Sequence, residues 1–136
     1  MFVTEKGLVP KLALGPQIVE TLFPAINCAV IRVDAFIDTG GFDAMLEWGH
    51  FGDVDWGIRC WKAGWRVVQY GLEQFLHEGG STFKQMAKEG KFEHALEYKA
   101  AEQLKEKWPF MWRDSENEVM GTLRREFHER RYGASY

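Results

Sequence analysis

Long apolar runs are missing from this chain of 136 residues. None approaches the ~20 residues that a membrane-spanning helix needs, so no transmembrane segment is expected. Cysteine is scarce. Cys28 and Cys60 stand apart, with no CxxC and no regular spacing, and give no sequence framework for a disulfide scaffold. Both lie in apolar surroundings and read as buried free thiols, with a disulfide between them left open. An excess of positive charge is also lacking: 17 Lys and Arg face 20 Asp and Glu, for a net charge of −3. That balance argues against a general nucleic-acid binder, while leaving room for a local anion site. The opening MFVTEKGLVPKLALG has no basic region followed by an apolar run, so no signal peptide is expected and the cytoplasm is the expected location. No repeat or low-complexity segment interrupts the chain.

What remains is the composition of a globular protein, 46% apolar and 27% charged. The length predicts one domain over 1–136, large enough for a sizeable core. Three of the four prolines, Pro10, Pro16 and Pro24, fall in residues 1–24, which read as an irregular arm with a short apolar turn at Ile18 to Phe23. The β-rich INCAVIRV, residues 26–33, predicts a strand, and Asp34 caps a short helix that stops at Gly40-Gly41. DVDWGIRCWKAG, from Asp53, is the clearest helix. Val54, Ile58, Trp61 and Trp65 follow one buried face, Trp56 and Cys60 a second, and Asp55 precedes Arg59 by four residues in the favourable order for a helix pair. Gly64 ends that helix and a strand follows to Tyr70. A long helix is expected over Phe92 to Trp108, stopped by Pro109. Another spans 114–132, capped by Asp114 or Ser115, with Val119, Leu123 and Phe127 on one face. From Arg113 to the end five arginines meet five acids, which reads as a solvated amphipathic helix and not as a nucleic-acid contact.

The chemistry concentrates in residues 40–81, bracketed by Gly40-Gly41 and Gly79-Gly80. This stretch holds four of the six tryptophans and two of the four histidines. Its pieces are NCAVIRVDAFIDTGGFDAML, then FGDVDWGIRCWKAGWRVV, then FLHEGGST. In order and spacing they resemble the later half of family-2 glycosyltransferases with the GT-A fold. The resemblance rests on Gly40 to Asp43, Asp53 to Trp56, Arg59, Lys62 to Gly64, Arg66 to Val68 and His77 to Ser81, and covers roughly 26–108, including Lys107-Trp108. Two features depart from the family. Gly52 stands where a glutamate is usual, and the earlier half, with its nucleotide-binding strands and strand-end Asp-x-Asp, has no counterpart here. Asp53-Val54-Asp55 opens a helix and corresponds to the later, acid-rich motif.

The resemblance implies an α/β fold: a small mixed sheet with flanking helices, equivalent to the C-terminal, acceptor-side half of a GT-A domain. It implies inverting transfer from a nucleotide-sugar to an acceptor hydroxyl, with Asp53 as the base. A carboxylate at a helix N-terminus is kept ionised by the helix dipole; the plainer role for Asp53 is that of an N-cap, and the two are compatible. Trp48 and His50 fall in the loop that faces the acceptor. Gly79, Gly80 and Ser81 offer backbone N–H groups to phosphate. His77 corresponds to a histidine that ligates Mn or Mg beside the diphosphate, and that site needs partners from a donor-binding chain. Asp55 and Arg59 are structural on either reading. The expected partners are a carbohydrate or other hydroxyl acceptor, the nucleotide-sugar in the full assembly, and a separate donor-half chain or further copies of this one. Whether the chain is a fragment, one part of a split enzyme or a relic stays open. The alternative function is a non-catalytic carbohydrate-binding or protein-interaction module built on the same fold.

Overall fold

Helix α2, Gly52–Lys62, is the centre of the molecule. A computed structural model describes residues 2–4, 7–9, 18–24, 26, 29–46, 50–70, 81–91 and 94–133. Within them α2 buries Val54, Trp56, Ile58, Cys60 and Trp61, and buries Asp55 completely. The helix is thus covered on two sides, as its two apolar stripes predict. Each large apolar side chain removed from water contributes about 1.5–3 kcal/mol, which is why this helix anchors its neighbours. The chain reverses at Gly64, whose φ of 86° suits glycine, and Trp65 N–H donates back to the Cys60 carbonyl at 2.8 Å. Trp65 itself lies outside the helix and is half-buried, so the buried face ends at Trp61.

Around α2 the described residues form a mixed α/β arrangement with two antiparallel two-stranded sheets. β1, Phe2–Thr4, pairs with β2, Gly7–Val9. β3, Ile18–Glu20, pairs with β4, Val68–Tyr70, in the register Ile18 to Tyr70 and Glu20 to Val68. Thr21 N–H extends the pairing to the Val67 carbonyl at 3.1 Å, and Trp61 Nε1 donates to the Thr21 carbonyl at 3.0 Å. Residues expected to be an irregular arm therefore supply three short strands. Leu22 and Phe23, beyond β3, run into the core. They come so close to α2 that a Cβ on Gly57 would stand 2.5 Å from the Leu22 carbonyl oxygen and 2.6 Å from Phe23 Cα.

The strand expected over 26–33 does not form among its described residues. Residues 29–32 pair with nothing in a sheet, Val30 is fully exposed, and helix α1, Val33–Asp38, begins where the strand was to end. A strand needs a neighbour for its backbone hydrogen bonds, and the two described sheets pair other segments, with 29–32 against neither. Both sheets are antiparallel, whereas the expected sheet was mixed.

Helices α3, Ser81–Lys88, α4, His94–Lys107, α5, Phe110–Arg113, and α6, Glu116–Tyr132, complete the order. Ser115 caps α6 with a full capping box: Ser115 N–H donates to the Glu118 carboxylate at 2.8 Å while Ser115 Oγ accepts from Glu118 N–H. Val119, Leu123 and Phe127 of α6 are buried against α2, with the Phe127 ring edge-on to Trp61 at 5.7 Å. Ala100 and Leu104 bury one side of α4. Among the described residues no helix is long and apolar enough to cross a membrane.

Candidate functional site

Two aspartates two positions apart on α2 have opposite surroundings. Asp55 is saturated. Its Oδ2 accepts from Arg59 Nε at 2.8 Å and lies 2.8 Å from Arg59 Nη2. Its Oδ1 accepts from Trp108 Nε1 at 2.8 Å and pairs with Lys107 Nζ at 2.8 Å. A buried carboxylate needs this number of donors to offset the water it gives up. The structural role expected for Asp55 and Arg59 is what these contacts describe, but the sequence pattern alone showed only one of the three partners.

Arg59 also donates through Nη1 to the Thr39 carbonyl, and Trp56 Nε1 donates to Thr39 Oγ1 at 2.7 Å. The end of α1 is thereby fixed against α2. The Gly40-Gly41 turn follows, with φ of 74° and 69°, and the Phe42 ring meets Trp56 edge-on at 5.5 Å. Asp43 completes the turn. Its Oδ1 accepts from Met45 N–H at 2.9 Å, and its Oδ2 accepts from Lys107 Nζ at 2.7 Å. The Lys107 ammonium thus joins Asp43 to Asp55. It holds the Asp43 carboxyl below the usual carboxylate range, helped by the Met45 amide. Burial works to lower the Lys107 pKa, but the bonds to Asp43 and Asp55 together outweigh it and raise it.

Asp53 is different. It is half-buried in the first turn of α2, its Oδ1 accepts from Val54 N–H at 2.9 Å, and among the described residues no cation pairs with it. Burial pushes its carboxyl up from the ordinary value, against the pull of the backbone N–H groups of Val54 and of Asp53 itself. Desolvation thus outweighs the first-turn amides in setting the direction of the shift. The N-cap role is corrected. The helix starts at Gly52, and the N-cap is Phe51, which has φ 59° and ψ 10° and no side-chain cap bond. Among the described residues Phe51 is the one non-glycine with positive φ, an uncommon conformation for a bulky side chain. Its carbonyl accepts from Asp55 N–H at 3.0 Å, so the turn that carries the strain leads directly into the Asp53 segment.

His50 is half-buried beside Phe51, with ring centroids 6.4 Å apart, and so falls near the mouth of α2 with Asp53. Trp48, His77, Gly79 and Gly80 lie outside the described residues, and of Ser81 only the backbone is described, opening α3. Among the described residues no three His, Cys, Asp or Glu side chains gather as a metal-binding group. Asp43 and Asp55 are both committed to Lys107, so these two carboxylates do not form a cradle for Mn or Mg. Lys107, Trp108 and Thr39 are the residues of this cluster that pattern reading missed as contacts. Lys107 and Trp108 stood in the sequence as a cation and an indole side by side at a helix end, just before Pro109, and Thr39 only as the residue before the Gly40-Gly41 turn.

Comparison with protein-family models, with curated proteins and with solved structures gives no match to this chain.

Proposed function

We propose that this chain is the acceptor-binding, base-bearing part of an inverting glycosyltransferase of the family-2 type, equivalent to the later half of a GT-A domain. It works in the cytoplasm with a donor-binding partner or further copies of itself. The observation that carries the reading is the contrast on α2. Asp55 is fully buried and tied to three partners, Arg59, Trp108 and Lys107, so no acceptor hydroxyl reaches it. Asp53 accepts from the backbone N–H groups of Val54 and of Asp53 itself and has no cation beside it among the described residues, in a half-dry position that strengthens it as a base. Gly52 before it carries no side chain, and among the described residues a Cβ there would meet nothing within 4 Å, which leaves space beside Asp53. Trp48 and His50 would hold the acceptor and Gly79, Gly80 and Ser81 the phosphate side. His77 would join a Mn or Mg ion only once the donor-binding partner is present.

Two measurements test this. In the full chain, neutral oligosaccharides should shift the amide resonances of His50 to Val54, while UDP with Mn²⁺ should bind weakly or not at all. Failure of every saccharide to move those amides overturns acceptor binding, and tight UDP binding overturns the half-domain reading. In the assembly isolated from native cells through a tag on this chain, Asp53→Asn should cut UDP release from UDP-sugars by roughly 10²–10⁴-fold, the usual contribution of a general base. A wild-type rate in that variant overturns the assignment.

A further inference from the structure

Lys107 sits at the last turn of α4, far from Asp53 in sequence, yet it holds both ends of the segment that contains Asp53. At one end it takes Asp43 Oδ2 at 2.7 Å, and at the other Asp55 Oδ1 at 2.8 Å. Between those anchors lie His50, the strained Phe51 and Asp53. Nearby, the Phe42 ring packs against Trp56, Leu46 is buried, and Thr39, before the Gly40-Gly41 turn, is tied to α2 by Arg59 and Trp56. Within the segment, Asp43 reaches only its own neighbours, through Met45 N–H and through its carbonyl to Leu46 N–H at 3.2 Å.

The expense of this arrangement indicates its use. Placing charges beside a fully buried carboxylate costs desolvation energy, and apolar side chains of similar size commonly stabilise a core as well or better. What an ammonium between two carboxylates adds is registry, since it fixes two chain positions relative to each other within hydrogen-bond tolerance. Arg59 and Trp108 already satisfy Asp55 through three contacts. Lys107 is the contact that adds Asp43.

We infer that Lys107 is a positioning residue for Asp53: its ammonium clips Asp43 to Asp55 and thereby sets how the loop with His50 enters the first turn of α2, from which Asp53 faces the acceptor. The inference rests on the proposed role of Asp53 as base. Such a clip acts on the rate by keeping the base at its distance from the hydroxyl. A displacement of about 1 Å is enough to cost roughly 10²-fold in a positioned reaction.

The test uses Lys107→Met, Lys107→Arg, Asp43→Asn and the Lys107→Met/Asp43→Asn pair in the full chain. Amide hydrogen exchange should quicken at 44–46 and 50–54 in Lys107→Met and in Asp43→Asn and stay unchanged at 57–62. The double variant should go no further than either single one, because both break the same clip. Lys107→Arg should restore slow exchange. In the assembly, UDP release should fall by roughly 10- to 100-fold in the first two variants and recover in Lys107→Arg. Unchanged exchange at 44–46 and 50–54, or exchange quickened equally across α2 and α6, overturns the inference; the latter would mean that Lys107 only stabilises the fold. Local loosening with a wild-type rate also overturns it and leaves the base reading standing. A wild-type rate in Asp53→Asn overturns the base reading itself, whatever Lys107 does.

Discussion

Replacing Asp55 by asparagine changes almost no volume and should nevertheless be among the most damaging single substitutions in the chain. Asparagine keeps one acceptor oxygen and turns the other into an N–H donor. If its oxygen faces Trp108 and Lys107, the amide nitrogen points at Arg59, whose Nε and Nη2 both lie 2.8 Å from the lost oxygen. If it faces Arg59, the nitrogen points at Lys107 Nζ and Trp108 Nε1, each at 2.8 Å. Either way, donor meets donor at a position with 0% exposure. Removing one partner of a buried ion pair costs about 3–5 kcal/mol, and since Lys107 retains Asp43 the lower end, about 3 kcal/mol, applies. Against a total stability of roughly 5–15 kcal/mol, that lowers Tm by about 10 °C for a domain of this size. Asp53→Asn provides the contrast. Its amide oxygen still accepts from Val54 N–H, and it removes a charge that burial opposes, so stability at pH 7 should stay within about 0.5 kcal/mol or rise. Thermal and urea unfolding of both variants, followed by circular dichroism, gives the comparison. An Asp55→Asn variant as stable as wild type, or an Asp53→Asn variant that falls as far, would refute the division of labour between the two acids.

Other outcomes follow from particular contacts. Gly57→Ala should lose about 2 kcal/mol, because backbone overlap with Leu22 and Phe23 exceeds the roughly 1 kcal/mol gained in helix propensity. Gly121→Ala, in open space on α6, should gain about 0.5–1 kcal/mol in the same urea assay. Ser115→Ala should cost α6 about 1 kcal/mol through loss of its capping box, read as a fall in the urea midpoint. Asp43 is depressed in the folded state, so its contribution is complete above about pH 4 and fades as pH falls below that. Asp53 is raised and works the other way, favouring the fold once it is protonated and costing stability as pH rises through its folded value. Lys107→Met should therefore flatten the acid limb of stability against pH, and Asp53→Asn should steepen it. The Cys60 thiol is buried and pushed up to about 11, so it should resist thiol reagents at pH 8 until the protein unfolds.

Local periodicity was a good guide where one helix chooses its own faces. Val54, Ile58 and Trp61 on α2 and Val119, Leu123 and Phe127 on α6 are buried as their spacing requires. The Asp55–Arg59 pair, four residues apart, was legible for the same reason. Pairings over long distances were not. Val19 faces Gln69 and Trp108 meets Asp55 because of how the chain returns, and no local pattern records that. The apolar run over 26–33 has the composition of a strand, but composition cannot supply the neighbour that a strand needs. Asp53 could be singled out as an acid at a helix start. The sign of its pKa shift could not, because that depends on how much of the first turn the rest of the fold covers.

The reach of Asp55 to Trp108 has a consequence for synthesis. These residues are 53 positions apart. At roughly 5–20 residues per second, a ribosome needs about 3–10 s to make Trp108 after Asp55. Through that interval Asp55 has Arg59 but neither Trp108 nor Lys107, and the indole of Trp61 has no Phe127 to meet it. Glu20, on β3, gains Arg66, 46 residues downstream, but its second partner, Arg124, only after 104. The nascent chain therefore cannot lock its centre in stages and must stay soluble with that centre open. A chain cut before Lys107 would be left in this state permanently, with a carboxylate facing a core that never closes.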